Sequence, residues 1–559
     1  MIKDSVREAY RDRIARFYVD YLSKYHKDPS RKEFHSYLKF NEVDFNNGVY
    51  SWQDVYKNIS EIRAVVLSKF PDEVKKYTFN EDEFGTQEYL NRTADAIKNH
   101  TKYIISTVVN NKPANIEFLS AIKNYAERNN AAIIWLISHD VRSQKREFEW
   151  NLDPILKCGH VITEDTILND NVMISGIVAS AKQINPLTGM LRFCPQLDKT
   201  IIYPGCKHLL YNVARVTNVE TPHKAVSVGA VTIPDYNSDK IMSGRTSYIA
   251  EKDHHLGGII VEIEDEKRYH IRPISAAEDG SFTDLNTVYH VDGSISSSED
   301  TVMVVGDVHV GYNDTLLFNS ILEVLKTYNI TEVILHDINN ASSVSHHEEN
   351  NFIQRILRNK NGQDSLIEEA NDIVKYLNKL TEIPNLKVSI VNSNHDRHFD
   401  RYLENVRYIY NRDYKNSVIA MKITLGLVEG TINNPLQFLV ENLATEKLNS
   451  SERIQWLKRD ESYKKYGVEL GFHGDEGKNG GKGSLKVYAN NLYNAVVGHS
   501  HTGGIEHQTY QVGTTSKLNM DYNHGLSSWT RTCCLVYSDG KKQLIDFVPN
   551  SDGGYTYFA

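Results

Sequence analysis

Cysteine is scarce in this chain, with five in 559 residues. They stand at Cys158, Cys194, Cys206, Cys533 and Cys534, and no two have Cys-x2-Cys spacing. An odd number that includes a vicinal pair excludes a disulfide scaffold and predicts reduced thiols in a cytoplasmic chain. Cys158-Gly-His160, Cys194 and Cys206-Lys-His208 offer thiolate and imidazole, but at irregular separations. Buried structural cysteines are therefore the preferred reading over a zinc site. Long apolar runs are missing too. No window approaches the roughly 18 apolar residues of a membrane helix. The opening MIKDSVREAYRDR alternates charged with apolar side chains, so neither a membrane span nor a secretory leader is expected. Excess positive charge is also absent, because 63 Lys+Arg face 72 Asp+Glu for a formal net charge of −9. That balance excludes whole-molecule attraction to a polyanion, which would have to be held by a local patch or by metal ions.

What remains is an ordinary globular composition, 40% hydrophobic and 24% charged, long enough for several domains. Val6, Tyr10, Ile14, Phe17, Tyr21 and Tyr25 recur at helical spacing. Ser30 with Glu33, and Ser51 with Asp54, have capping-box spacing. A slightly basic helical domain over 1–80 is expected, serving as a DNA-reading helix-turn-helix or as an oligomerisation module, so a homo-oligomer is one expectation. From 81 to 295 the rhythm becomes mixed α/β and β-rich, with a helix from Ile116, the run AAIIWLIS, and alternating stretches such as KAVSVGAVTI and GGIIVEIEDEKRYHIRPI. The small polar run SISSSED then marks a boundary. After it, strands and helices alternate over 296–559, with one long helical stretch from Glu349 to Leu380 and a helical insertion at about 434–466.

The residues that follow each strand carry the chemistry. Behind TVMVVG stand Asp307 and His309; behind EVIL, His336 and Asp337; behind LKVSIV, Asn394, His395 and Asp396; behind VELGF, His473; behind NAVV, Gly498, His499 and His501. Carboxyl ends of strands in an open α/β sheet line one crevice, so ligands almost two hundred residues apart can converge there. A set of carboxylate, imidazole and amide without thiolate favours Mn²⁺, Fe²⁺, Zn²⁺ or mixed pairs. Histidine is not enriched in this half of the chain, so placement carries the signal.

In this order the motifs Asp307-Val-His309, His336-Asp337, Asn394-His395-Asp396, His473 and Gly498-His499-Ser500-His501 resemble the calcineurin-like metallophosphoesterase superfamily. The resemblance covers about 300–530 and implies a layered β-sandwich flanked by helices, with two divalent metal ions. Mn²⁺ is the first choice, with Mg²⁺, Fe²⁺ or Zn²⁺ as alternatives. By position, Asp307, His309 and His501 would hold one metal and Asn394, His473 and His499 the other. Asp337 would bridge them and His395 would take the catalytic place, with Asp396 orienting its ring or capping the next helix. Two departures stand out: His336 and Ser393 occupy positions where the family carries glycine.

Asp307-Val-His309-Val-Gly311 and Asn394-His395-Asp396 look like the DNA-repair nuclease branch. Protein phosphatases instead carry Asp-Arg-Gly and Asn-His-Glu. The segment GDEGKNGGKGS to GHSHTGG, followed by GTTSKLNMDYNHGLSSW, is similar to metallophosphoesterase nucleases of large tailed phages. The implied activity is a metal-dependent DNase that acts on DNA, in the host cytoplasm if phage-encoded. A phosphatase or phosphodiesterase for RNA or small phosphoesters is the alternative, and a non-catalytic scaffold is a third reading. Lys478 and Lys482, among the glycines of GDEGKNGGKGS, form a candidate phosphate-binding loop. Arg397 and His398 are candidate rim contacts, weighed against an ordinary helix surface. His346 and His347 read as loop residues in preference to a third metal site.

Overall fold

The computed structural model describes residues 4–25, 29, 31–40, 56, 59–77, 79–140, 150–216, 221–234, 236, 244–346, 351–405, 414–520 and 523–559. It is a mixed α/β molecule with several sheets. Among the described residues, no helix is long and apolar enough to cross a membrane. The caps expected at Ser30 and at Ser51 with Asp54, and the histidine at 347, lie outside the described residues.

Helices Asp4–Tyr25, Arg31–Phe40, Ile59–Lys69 and Pro71–Tyr77 open the chain. Ile14, Tyr18, Leu22, Phe34, Leu38, Ile62 and Val66 form their own apolar cluster. The inward stripe of the first helix is rotated from the expected one. Ala15, Tyr18 and Val19 are buried, whereas Tyr25 is 44% exposed. Tyr25 instead packs edge-on against Tyr37 and at a tilt against Tyr21, so the tyrosines form an aromatic flank beside the core.

Strands Lys102–Val109 and Ala132–His139 pair in parallel around helix Ile116–Asn129. Asn115 caps that helix by accepting from the Phe118 amide. The stretch GGIIVEIEDEKRYHIRPI forms the antiparallel pair Gly257–Ile263 and Tyr269–Ser275, which joins the same sheet.

A second six-stranded sheet has the order Ile454–Trp456, Lys387–Ile390, Glu332–Leu335, Val302–Val305, Thr532–Val536, Lys542–Asp546. Its first four strands are parallel. Alternation along the strands divides their side chains between two layers. Met303, Val305, Val333, Leu335, Val388 and Ile390 pack into a cluster with Leu317, Ile321, Ile373 and Leu377 of the helices. Val302, Val304 and Ile334 share an apolar cluster with Val468, Val496 and Tyr510 of a ten-stranded sheet. The layers run helix, sheet, sheet. Gly504–Glu506 pairs with His208–Val213 in that larger sheet, so it draws strands from both sides of the sequence boundary near 295.

The long helical stretch expected from Glu349 to Leu380 is two helices, Phe352–Lys360 and Leu366–Thr381. Asn361-Gly362 breaks it, with Gly362 at φ +68°, and Ser365 caps the second helix on the Glu368 amide. Within 434–466, helix is confined to Pro435–Phe438, Leu439–Leu443 and the single turn Ser451–Arg453, and Ile454–Trp456 is an edge strand of the six-stranded sheet.

Candidate metal centre

The strands Val302–Val305, Glu332–Leu335 and Lys387–Ile390 deliver their carboxyl ends to one place. Val468–Glu469 and Ala495–Val497, parallel neighbours in the facing sheet, deliver theirs opposite. Backbone hydrogen bonds then lock the loops together. The Val308, His309 and Val310 amides donate to the carbonyls of His336, Asp337 and Ile338. The Gly498 amide donates to the His473 carbonyl at 2.7 Å, and the Asp307 amide to the Gly513 carbonyl at 3.1 Å. Four of the seven expected ligands have left-handed backbones: His309 (φ 48°), Asp337 (47°), His499 (73°) and His501 (58°). Non-glycine residues occupy this region at an energetic cost, and it is held here by the surrounding lattice of hydrogen bonds.

All seven expected ligands come together. Asp307, His309 and Asp337 are at most 1% exposed, and His473 and His501 are nearly as buried. Asn394, His395 and His499 are half-buried and form the mouth. Ligand atoms of Asp307, His309, Asp337 and His501 lie within 4.8 Å of one another, as do those of Asp307, His336 and His473. His501 Nε2 is 3.1 Å from Asp307 Oδ2, and His473 Nε2 is 3.4 Å from Asp337 Oδ2. Asn394 Oδ1 lies 2.9 Å from His473 Nε2 and 3.0 Å from His499 Nδ1.

This buried cluster is one that could bind divalent metal ions, and its electrostatics fit a cation. Asp337 Oδ1 is enclosed with no hydrogen-bond partner among the described residues, and Asp307 Oδ2 faces the ring nitrogen of His501. Buried carboxylates require compensating positive charge. Burial pushes the Asp307 carboxyl up, but the hydrogen bond from His501 and the charge of His473 outweigh it and hold the group down at about 2. Asp337 is likewise held well below its usual range, against burial, by His395 and His473. The positive charge comes from His473, which burial would lower but which Asp337 and Asp307 raise to about 9. His309 is pushed down to about 3 by burial. A proton on His473 thus stands where a metal cation would supply more charge, and the donors match the nitrogen-and-oxygen shell of a transition metal.

His395 lies beside these ligands, its ring edge-on to His309 with centroids 4.6 Å apart. Its Nδ1 is 3.2 Å from the Asn340 carbonyl. A carbonyl only accepts, so Nδ1 carries the proton there and Nε2 is left for the crevice. Asp396 neither orients this ring nor caps the following helix. Its Oδ2 accepts from the Ser393 amide at 2.9 Å, which closes a tight turn. Burial raises its carboxyl to about 8.

The expected substrate contacts are placed differently from the ligands. Arg397 is ion-paired with Glu476, so its charge is already matched. His398 is 7% exposed and packed between His395 and His346, which removes it from the rim. Lys478 and Lys482 are exposed. The amides of Gly477, Gly481 and Gly483 donate to carbonyls of Gly481, Lys478 and Asp475, so they are not an open phosphate cradle. Of the three cysteines expected to be buried, Cys194 and Cys206 are and Cys158 is exposed, and no thiolate cluster occurs among the described residues.

Two neighbours of the site escaped the sequence reading, and a third was named there without a role. The Asn340 carbonyl offers no side-chain signal. Trp529 packs at a tilt against His501 with centroids 4.1 Å apart, from a distant loop. His336 was visible at the end of the EVIL strand and as a departure from a glycine, but not its approach to His473, against which it is fully buried.

Comparison with known proteins adds one likeness. No family model and no solved structure matches the chain. Protein A1 of Escherichia phage T5 is 25% identical over 473 residues, covering 81% of this chain and 82% of that protein.

Proposed function

We propose that this chain is a metallophosphoesterase of the calcineurin-like type and a metal-dependent nuclease that hydrolyses DNA phosphodiesters, of phage origin and acting in the host cytoplasm. The observation that carries the reading is the buried convergence of two carboxylates with imidazoles from five strand ends, Asp307, His309 and His501 on one side and Asn394, His473 and His499 on the other. Asp337 approaches both His309, at 3.7 Å, and His473, at 3.4 Å, which suits it to bridging. The likeness over most of its length to a phage protein supports the origin.

Two divalent cations, Mn²⁺ first and Mg²⁺, Fe²⁺ or Zn²⁺ otherwise, would supply the charge that activates water and neutralises phosphate oxygens during in-line attack. The protein's own groups do the rest. Asp307 and Asp337, held ionised, and the buried imidazoles fix the cation positions before substrate arrives. His395, with its Nδ1–H held on the Asn340 carbonyl, presents Nε2 to the departing ester oxygen; in its doubly protonated form it donates the Nε2 proton there and keeps the Nδ1 proton as the neutral ring. With Arg397 engaged by Glu476, phosphate binding falls chiefly to the metal centre and the exposed Lys478 and Lys482. The helical segment 1–80 serves as a DNA contact or as a contact between copies.

The test is digestion of circular and end-labelled linear DNA by the full chain, before and after chelation and with Mn²⁺ restored. Cleavage that requires metal is expected. No DNA cleavage under any metal, with turnover of RNA or small phosphoesters instead, would replace the substrate assignment.

A further inference from the structure

His336 stands outside both ligand sets of the proposed centre, yet it is fully buried between them. Its Nδ1 lies 3.4 Å from His473 Nδ1. The opposite nitrogen of His473, Nε2, faces Asn394 Oδ1 and Asp337 Oδ2. A neutral imidazole has one N–H, so a ring that gives its Nε2 lone pair to a cation must carry the proton on Nδ1. That proton needs an acceptor. Asp307 Oδ1 is 4.0 Å away and already accepts from the His499 amide at 3.1 Å. His336 Nδ1 is nearer.

We propose that His336 is a positioning residue whose Nδ1 accepts a hydrogen bond from His473 and fixes the ring with Nε2 toward the cation. The inference rests on the metal-centre reading given above. Two further observations carry it. First, the back nitrogens of the other enclosed ligands, Nδ1 of His309 and of His501, have no partner among the described residues, whereas that of His473 is met by a side chain. Second, the chain makes room for the ring. A Cβ on Gly498 would come within 3.1 Å of His336 Cγ and 2.5 Å of Asp307 Oδ1, so the neighbouring loop approaches this closely only as glycine. His336 Nε2 is left buried without a partner among the described residues. A polar ring kept despite that penalty is kept for its other nitrogen.

The full chain, stripped by chelation, is titrated with Mn²⁺ while free Mn²⁺ is followed by electron paramagnetic resonance, and metal-free melting is recorded for each variant. Wild type should take two ions. His336→Ala should weaken one of them about 10- to 100-fold, the range for lost support of a metal-bound histidine, and leave the other unchanged. His336→Asn, whose amide reaches the Nδ1 position, should restore most of the affinity. His336→Gln, which reaches the Nε2 position instead, should not. Unchanged affinity for both ions in His336→Ala overturns the positioning role while leaving the centre intact. A third ion lost with His336 would make it a ligand and also overturn it. Wild type that binds no ion removes the metal-centre reading itself. If the alanine variant fails to fold, the Asn and Gln pair decides, and equal affinities would overturn the proposal.

Discussion

The Nε2 atoms of His309 and His501 lie 3.0 Å apart, although the two residues are separated by 192 positions in the chain. Two imidazole lone pairs this close repel unless a proton or a cation sits between them. Asp307 and Asp337 flank the pair, so the arrangement is stabilised most by a cation.

Metal should therefore stabilise the fold. An ion that binds only the folded state adds about 2.7 kcal/mol per site at a hundred times its Kd. Mn²⁺ added to the stripped protein should raise its melting temperature by several degrees, and Ca²⁺, which prefers oxygen-only shells, should do less. Identical melting with and without Mn²⁺ would argue that the cluster holds no metal.

Metal uptake should release a proton. Without metal, His473 is raised to about 9 by Asp337 and Asp307 against the effect of burial, so it is protonated at pH 7.5. Its lone pair becomes available to an ion only when that proton leaves. The logarithm of Mn²⁺ affinity should climb by about one per pH unit below pH 9 and then level off. The linkage has a second face. A histidine raised in the folded state adds stability that is complete below its unfolded value near 6.5 and is lost as pH rises through about 9. Calorimetry in buffers of different ionisation enthalpy reads the proton count, and a count of zero would contradict the assignment.

Asp396 tilts stability with pH in the same direction, but through a neutral protonated form. Its carboxyl is raised to about 8 by burial, so the folded state binds a proton that the unfolded chain gives up near pH 3.9. Stability from this group is complete at low pH and falls as pH rises from about 4 through 8. Asp396→Asn keeps an oxygen for the Ser393 amide and removes the ionisation. The stripped variant should be more stable than wild type by on the order of 1–3 kcal/mol at pH 8, with the gain vanishing near pH 4. Denaturant unfolding at both pH values checks this, and a gain independent of pH would mean that Asp396 ionises freely.

The convergence of the seven ligands is legible because each ligand directly follows an apolar strand. Strand direction alone then carries Asp307, Asp337 and Asn394 to the same edge. What depends on tertiary approach was not legible. The Arg397–Glu476 pair joins residues 79 apart, and neither local pattern hints at the other. His398 shares a helix with Arg397, and only the packing of His346 and His395 around it shows that it points inward. Asn361-Gly362 was a readable stop inside the long helical stretch, and the apolar period on either side masked it. The loop glycines around Lys478 suggested open amides, but glycine permits internal turns as readily as it permits phosphate binding.

Metal holding and proton transfer should separate within the same crevice. Asp337 approaches ligands of both sets, so Asp337→Ala should lower metal content and hydrolysis together. His395 is anchored by the Asn340 carbonyl outside the ligand cluster, so His395→Ala should leave both ions bound. Its loss should slow DNA cleavage roughly 100- to 10,000-fold, the range for a removed general acid, because the sugar oxygen leaves poorly without a proton. A nitrophenyl phosphodiester has an acidic leaving group that needs little protonation. His395→Ala should therefore spare much of that activity, whereas Asp337→Ala should abolish it. Metal content and rates for both variants on both substrates distinguish the roles. If His395→Ala empties the site, it is a ligand; if it slows both substrates equally, it stabilises phosphate charge, and in either case proton donation is the wrong assignment.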